Sequence, residues 1–222
     1  MLKKSTLAFL KKLKKNNNRE WFNENKSLYE DAKTDFEVFV YELIHAVSEF
    51  DESIASFQPK DCIFRIYKDV RFSKDKTPYK TNFGAVLQEG GKKSGLACYY
   101  FHVSPTELFL AGGQYMPDPE KLLKMRMAIA SKHKQFLAIV KNKEFVKNFK
   151  EVWGGESLKT APKGFPKEHP AMEYLKMKNF LAEHQLKEDE VFSEGIIKKT
   201  AKIFKAMQPF NNFLNDAVRS RL

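Results

Sequence analysis

The residues best suited to chemistry lie between Arg65 and Asn82, where the chain reads RIYKDVRFSKDKTPYKTN. From Lys60 to Lys80, seven basic side chains meet three acids. The alternation of Cys62, Phe64 and Ile66 with Ile63, Arg65 and Tyr67 predicts a strand, followed by a loop. On such a strand Arg65, Tyr67 and Asp69 share one face, Ile66 and Lys68 take the other, and Arg71 continues the register of Arg65. An arginine held on a sheet face needs an anion or an acid, because a desolvated guanidinium without a partner does not recover its hydration. Three readings follow. In an anion site, Arg65, Arg71 and Lys76 bind phosphate or carboxylate oxygens, Asp69 orients an arginine, Tyr79 donates a hydrogen bond and Lys80 adds charge. In an enzyme, the same cations place a small phosphorylated or carboxylated substrate, and Asp69 or Tyr79 carries a proton. In a structural lattice, Asp69 and Asp75 pair with the cations and lock strand to loop, with Pro78 stiffening the turn.

The rest of the chain narrows the partner. Net charge is +11, yet residues 1–50 and 51–118 each carry nine basic and eight acidic side chains, so residues 119–222 hold +9. Between residues 121 and 150 nine basic side chains face the single acid Glu144. A phosphate-bearing polyanion, nucleic acid foremost, fits such a surface. Solvated helix faces produce the same pattern, and lysine dominates over arginine, the better fork for phosphate. Arg126, the one arginine in that stretch, joins the anion-binding candidates because GGQYMPDP links its helix directly to the last strand of the sheet.

Other chemistries lack support. His45, His102, His133, His169 and His184 show no metal-ligand spacing and neither Cys62 nor Cys98 has a CxxC partner, so no metal and no cofactor is expected. Asp69 and Asp75 would bind magnesium only if the fold joined them. His102 reads as a sheet residue rather than a general base, and Ser73 lies in no nucleophile elbow. Trp21, Lys26 and Tyr29 could stack a base or sugar, but aromatics at helical spacing more often pack inward.

The elements that must position these groups change period twice. Leu7, Leu10 and Leu13 mark a short first helix capped by Ser5 or Thr6, and three asparagines (Asn16 to Asn18) then start a new cap. A long helix is expected from about Asn25 to Glu49. After the strand at 62–67, FGAVLQ, LACYYFHVS and ELFLAGG read as an antiparallel meander. Helical period returns at Asp118, an N-cap followed by Pro119, with two helices expected before the Gly- and Pro-rich GGESLKTAPKGFPKEHP loop. Further helices are expected at Met172–Leu181, Glu190–Met207 and Pro209–Val218. The result is an α+β class: one domain over 1–222, helical in 1–56, β-rich in 57–117 and helical in 118–222, with an antiparallel sheet of about four or five strands. No apolar run reaches bilayer length and lysines interrupt the N-terminal apolar residues, so no membrane span is expected and cytoplasm is the expected compartment. The oligomeric state leaves no mark in the sequence.

The Arg65–Tyr79 stretch resembles the signature of a bacterial family called domain of unknown function 2461. That signature runs Arg-x-x-Arg-Asp-x-Arg-Phe, followed by an Asp or Asn, a Lys and a Tyr. Arg65, Asp69, Arg71, Phe72, Asp75, Lys76 and Tyr79 fit it, and Lys68 stands in place of the second arginine, keeping its charge and losing its fork. The likeness extends to NNNREWFNENKSLY, GGQYMPDPEKLLKMR and APKGFPKEHP. It implies membership without naming a reaction.

Overall fold

A computed structural model describes residues 1–220. Two compact units are formed: the first comprises Met1–Leu87, Tyr100–Leu110 and Gln185–Ala201, the second Gln88–Tyr99, Ala111–His184 and the described residues from Lys202 onward.

In the first unit, α1 (Lys4–Lys15), α2 (Arg19–Glu24) and α3 (Lys26–Ser48) follow the apolar spacing of the sequence, burying Leu7, Leu10 and Leu13 on α1 and Phe36, Phe39, Leu43 and Val47 on α3. The start of α1 differs from expectation. Lys3 occupies the N-cap without a side-chain bond, and Thr6 lies inside the helix because its hydroxyl donates to the buried Asp35 of α3, which also accepts from the Lys3 amide. The three asparagines divide their work: the Asn16 side chain donates to Lys12 O at the end of α1, Asn18 accepts from the Trp21 amide to cap α2, and Asn17 reaches elsewhere.

After the short α4 (Pro59–Cys62), the strand expected at residues 62–67 is reduced to two isolated antiparallel bridges, Ile63 with Ala85 and Tyr67 with Tyr79. Cys62 is helical and the backbone bends at Ile66, which stops a continuous ladder. The side-chain alternation survives as exposure: Ile66 is buried and Lys68 half-buried, while Arg65, Tyr67, Asp69 and Arg71 are exposed.

Four strands, β1 (Phe83–Leu87), β2 (Cys98–Val103), β3 (Leu108–Gln114) and β4 (Phe180–Gln185), pair in chain order as one open antiparallel sheet. The first three are the expected meander. On β2 the residues Tyr99, Phe101 and Val103 are buried, and Cys98, Tyr100 and His102 on the other face are half-buried. Rings from α3, β1 and β2 meet in the core of the first unit, with Phe36 stacked 5.3 Å from Phe83 and Phe39 4.6 Å from Phe101.

In the second unit, Asp118 caps α5 (Pro119–Ser131) as expected, its carboxylate accepting from the Lys121 amide. Breaks at Lys132 and Lys141 then give three helices where two were expected, because Asn142 caps α7 (Lys143–Phe149) after α6 (His133–Val140). The 154–170 segment is irregular. The helix expected over Met172–Leu181 stops after α8 (Met172–Leu175), and β4 takes over. FLAEHQ is poor in β-branched residues, and pairing decides its state: Gly113, at φ +97, carries no Cβ where the Phe180 carbonyl approaches. α9 (Glu188–Val191) and the first turns of α10 (Ile196–Arg219) belong to the first unit and the rest of α10 to the second; α10 runs unbroken through Pro209, where two helices were expected. Burial of Phe204, Met207, Phe210 and Leu214 along one face outweighs the lost amide donor. Among the described residues no helix is long and apolar enough to cross a membrane.

Phe101 is fully buried among these rings, so Phe101→Ala is expected to cost about 3–5 kcal/mol, read from a urea unfolding midpoint at unchanged slope.

Candidate anion-binding site

The loop that carries the charged motif is closed by backbone bonds and anchored by rings. The Phe64 amide donates to Gly84 O at 3.0 Å, the Lys68 amide to Pro78 O at 2.9 Å and the Lys80 amide to Ile66 O at 2.7 Å. The last two pinch residues 69–77 into a projecting loop. Tyr79 sits at the pinch, 4% exposed, its ring stacked 4.0 Å from Phe22 at 14°. Asn17 grips the same residue: its side-chain amide donates to Tyr79 O at 2.9 Å and its carbonyl accepts from the Tyr79 amide at 3.1 Å. Sequence reasoning missed Asn17, whose only trace was a third asparagine beyond the two that the helix ends needed.

Within the loop each acid is taken by a neighbour. Asp69 accepts from Arg71 Nε at 2.9 Å and Nη2 at 2.7 Å, a bidentate fork. These bonds hold the Asp69 carboxyl below the usual carboxylate range and raise the Arg71 guanidinium above its own. Asp75 accepts from Lys68 Nζ at 2.7 Å, from the Thr77 amide at 2.9 Å and from the Thr77 hydroxyl at 2.8 Å, which drives its carboxyl far below that range. Lys76 Nζ folds back onto Val70 O at 3.0 Å. Lys68 also donates to the Thr77 hydroxyl and so points into the loop frame.

What remains outward is positive. Arg65 and Lys74 are exposed and make no hydrogen bond or ion pair among the described residues. The Arg71 side chain is 75% exposed despite its fork, and its guanidinium carbon lies 5.8 Å from the ring of Phe72, which is 95% exposed. Lys80 Nζ stands 5.4 Å from the Phe64 ring, and burial first, then the Arg65 charge, lower its pKa.

The first unit therefore gathers Arg65, Asp69, Arg71, Lys76, Tyr79 and Lys80 in one segment. Tyr79 lies in an aromatic stack that raises its phenol pKa through burial. Arg126 belongs to the second unit, where its Nη2 donates to Met177 O at 2.9 Å, its Nε is buried without a partner, and desolvation lowers its pKa. There too Lys121 pairs with Asp118 and Lys124 with Glu120, while Lys134, Lys141, Lys143, Lys147 and Lys150 are exposed. Trp21 and Tyr29 pack on Phe9 and Phe22, and Lys26 is exposed. Asp69 and Asp75 are each held by a different cation, and no group of three or more metal-binding side chains occurs among the described residues.

The profile of domain of unknown function 2461, described as a conserved hypothetical protein, matches residues 5–213. The chain belongs to that family. No match was found among curated proteins or among solved structures. Within the matched residues, the Lys68–Phe72 run forms an acid forked by an arginine beside an outward phenylalanine.

Two outcomes test this geometry. Removing both Asn17 bonds with Asn17→Ala is expected to cost about 1–2 kcal/mol and to speed amide exchange at Lys68 and Lys80, measured by hydrogen–deuterium exchange. Because the folded Asp69 carboxyl titrates below its unfolded value, its fork persists above that range and is lost only as pH falls through the folded value. The Arg71 Nε–H resonance is expected to stay protected as pH falls through the ordinary carboxylate range and to lose protection at every pH in Asp69→Asn.

Proposed function

We propose that the chain is an anion-binding protein whose Arg65–Lys80 segment receives phosphate-bearing partners, nucleic acid foremost. The observation that carries this reading is the internal satisfaction of both acids in the segment beside unpaired, exposed Arg65 and Lys74. Asp69 takes two of the five N–H donors of Arg71 and fixes its plane, leaving the others for an outside oxygen. The site is an open loop, and none of its residues lines the groove of about 920 Å³ between α5, α6, α7 and α10 in the second unit. A bounded substrate pocket would favour an enzyme, and an open cationic loop favours a polymer or a phosphate group presented on a surface. Two cysteines outside any disulfide, one buried and one half-buried, fit a reducing compartment, and the cytoplasm is part of the proposal.

The same ion pairs favour a second reading, in which the loop is a lattice and nothing more. The two separate cleanly. If the lattice is the whole role, Asp69→Asn lowers the unfolding midpoint and no polyanion binds. If the site takes anions, labelled single-stranded oligonucleotides bind with a steep salt dependence, measured by fluorescence anisotropy. Arg65→Ala with Arg71→Ala is then expected to reduce the log–log salt slope by roughly 1.4, at about 0.7 for each single-strand phosphate no longer neutralised. Binding that keeps its slope in the folded double variant would move the site to the exposed lysines of α5–α7, and absence of binding to any polyanion would overturn the proposal.

A further inference from the structure

We infer that the half-exposed sheet face of the first unit stacks unpaired bases, so that the partner of the anion site is single-stranded nucleic acid; this rests on the anion-binding reading above. The face opposite the buried Phe101 carries a continuous row of rings. Phe64 lies 6.2 Å from Tyr100 at 65°, Tyr100 lies 5.9 Å from Phe109 at 55°, and Phe109 is stacked 4.5 Å from His102 at 13°. All four belong to the first unit, with Phe64 39% exposed and the other three half-buried.

The row is built rather than incidental. Tyr100 Oη and His102 Nδ1 share a hydrogen bond of 3.0 Å that fixes both rings on the strand. On the neighbouring β1, Gly84 carries no side chain where the Tyr100 ring lies: a Cβ there would collide with its hydroxyl and touch its ring carbons at 3.0 Å. Tyr99, Phe101 and Val103 fill the buried side of β2, so Tyr100 and His102 lie outside the core that those residues form.

Charge gives the row a direction. Lys80 stands over the Phe64 ring, Arg65 follows Phe64 directly and acts on Lys80, and Glu107 acts on His102 at the other end. Cations at one end and rings along the face match a strand whose phosphates run past Arg65 and Lys80 while its bases lie on Phe64, Tyr100 and Phe109. A duplex keeps its bases stacked on each other and offers no free face to these rings. Sequence tolerance is expected, because every base has a π-face.

The experiment compares three labelled probes of equal length by anisotropy: an oligothymidylate, an abasic oligomer with the same backbone charge, and a duplex. The oligothymidylate is expected to bind about tenfold or more tightly than either of the others, on the order of one base stack or more. Phe64→Leu with Phe109→Leu is expected to remove that advantage while leaving the abasic affinity and the salt slope unchanged, and Phe64→Trp to retain it, with circular dichroism confirming that each variant folds. If the abasic oligomer or the duplex binds as well as the oligothymidylate, base stacking is overturned and anion binding stands. If no probe binds, anion binding itself is overturned, and this inference with it.

Discussion

Two short backbone bonds, Lys68 to Pro78 and Lys80 to Ile66, decide how the charged segment meets solvent. They turn a stretch that alternates like a strand into a pinched loop, and they hold only because the pinch is buried. Tyr79 supplies that burial by stacking on Phe22, and Asn17 satisfies the Tyr79 amide and carbonyl that the stack would otherwise leave without partners. The charged loop is thus fastened to the joint between α1 and α2 through one tyrosine. Arg71, Lys74 and Lys76 inherit their positions from this fastening, since residues 69–77 make no ladder of their own.

Ion pairing inside the loop and the anion binding proposed for its outer side rest on one arrangement. A loop with two unpaired acids would repel a phosphate; here Asp69 is forked by Arg71, and Asp75 is enclosed by Lys68 and Thr77. Exposed pairs of this kind add little to stability, so their effect is on geometry and on local potential. The guanidinium plane of Arg71 is set, and Arg65, Lys74 and Lys80 keep positive charge that no ion pair among the described residues takes up. The neighbouring sheet face extends the same logic. Strand alternation sends Phe101 to the core and Tyr100 with His102 to the opposite side, and a glycine at residue 84 lets the Tyr100 ring lie where a side chain would stand.

Much of this was legible in the chain alone. The order helices, meander, helices follows from hydrophobic period, the long helix over residues 26–48 from its apolar stripe, and the start of α5 from Asp118 and Pro119, because these are local preferences of residues close in sequence. The charged motif was legible too, as was its place within one segment and its membership in a family. The pairing within it was not, since the sequence offers Asp69 and Asp75 several cations each, and only the pinch assigns Arg71 to one and Lys68 to the other.

The errors lie where distant residues outvote local ones. Residues 62–67 alternate like a strand but end as bridges, because Cys62 completes a helical turn and the chain bends at the buried Ile66. FLAEHQ has little strand preference and becomes β4 through pairing made possible at Gly113, and α10 passes through Pro209 because one apolar face is buried along its length. Composition, period and capping determine which segments are helical, which are extended and where charge is concentrated, since they act within a few residues. Asn17 on Tyr79 and the ring row that joins Phe64, Tyr100 and Phe109 were decided only by tertiary structure, because each depends on groups that the sequence holds apart and that packing alone brings into contact.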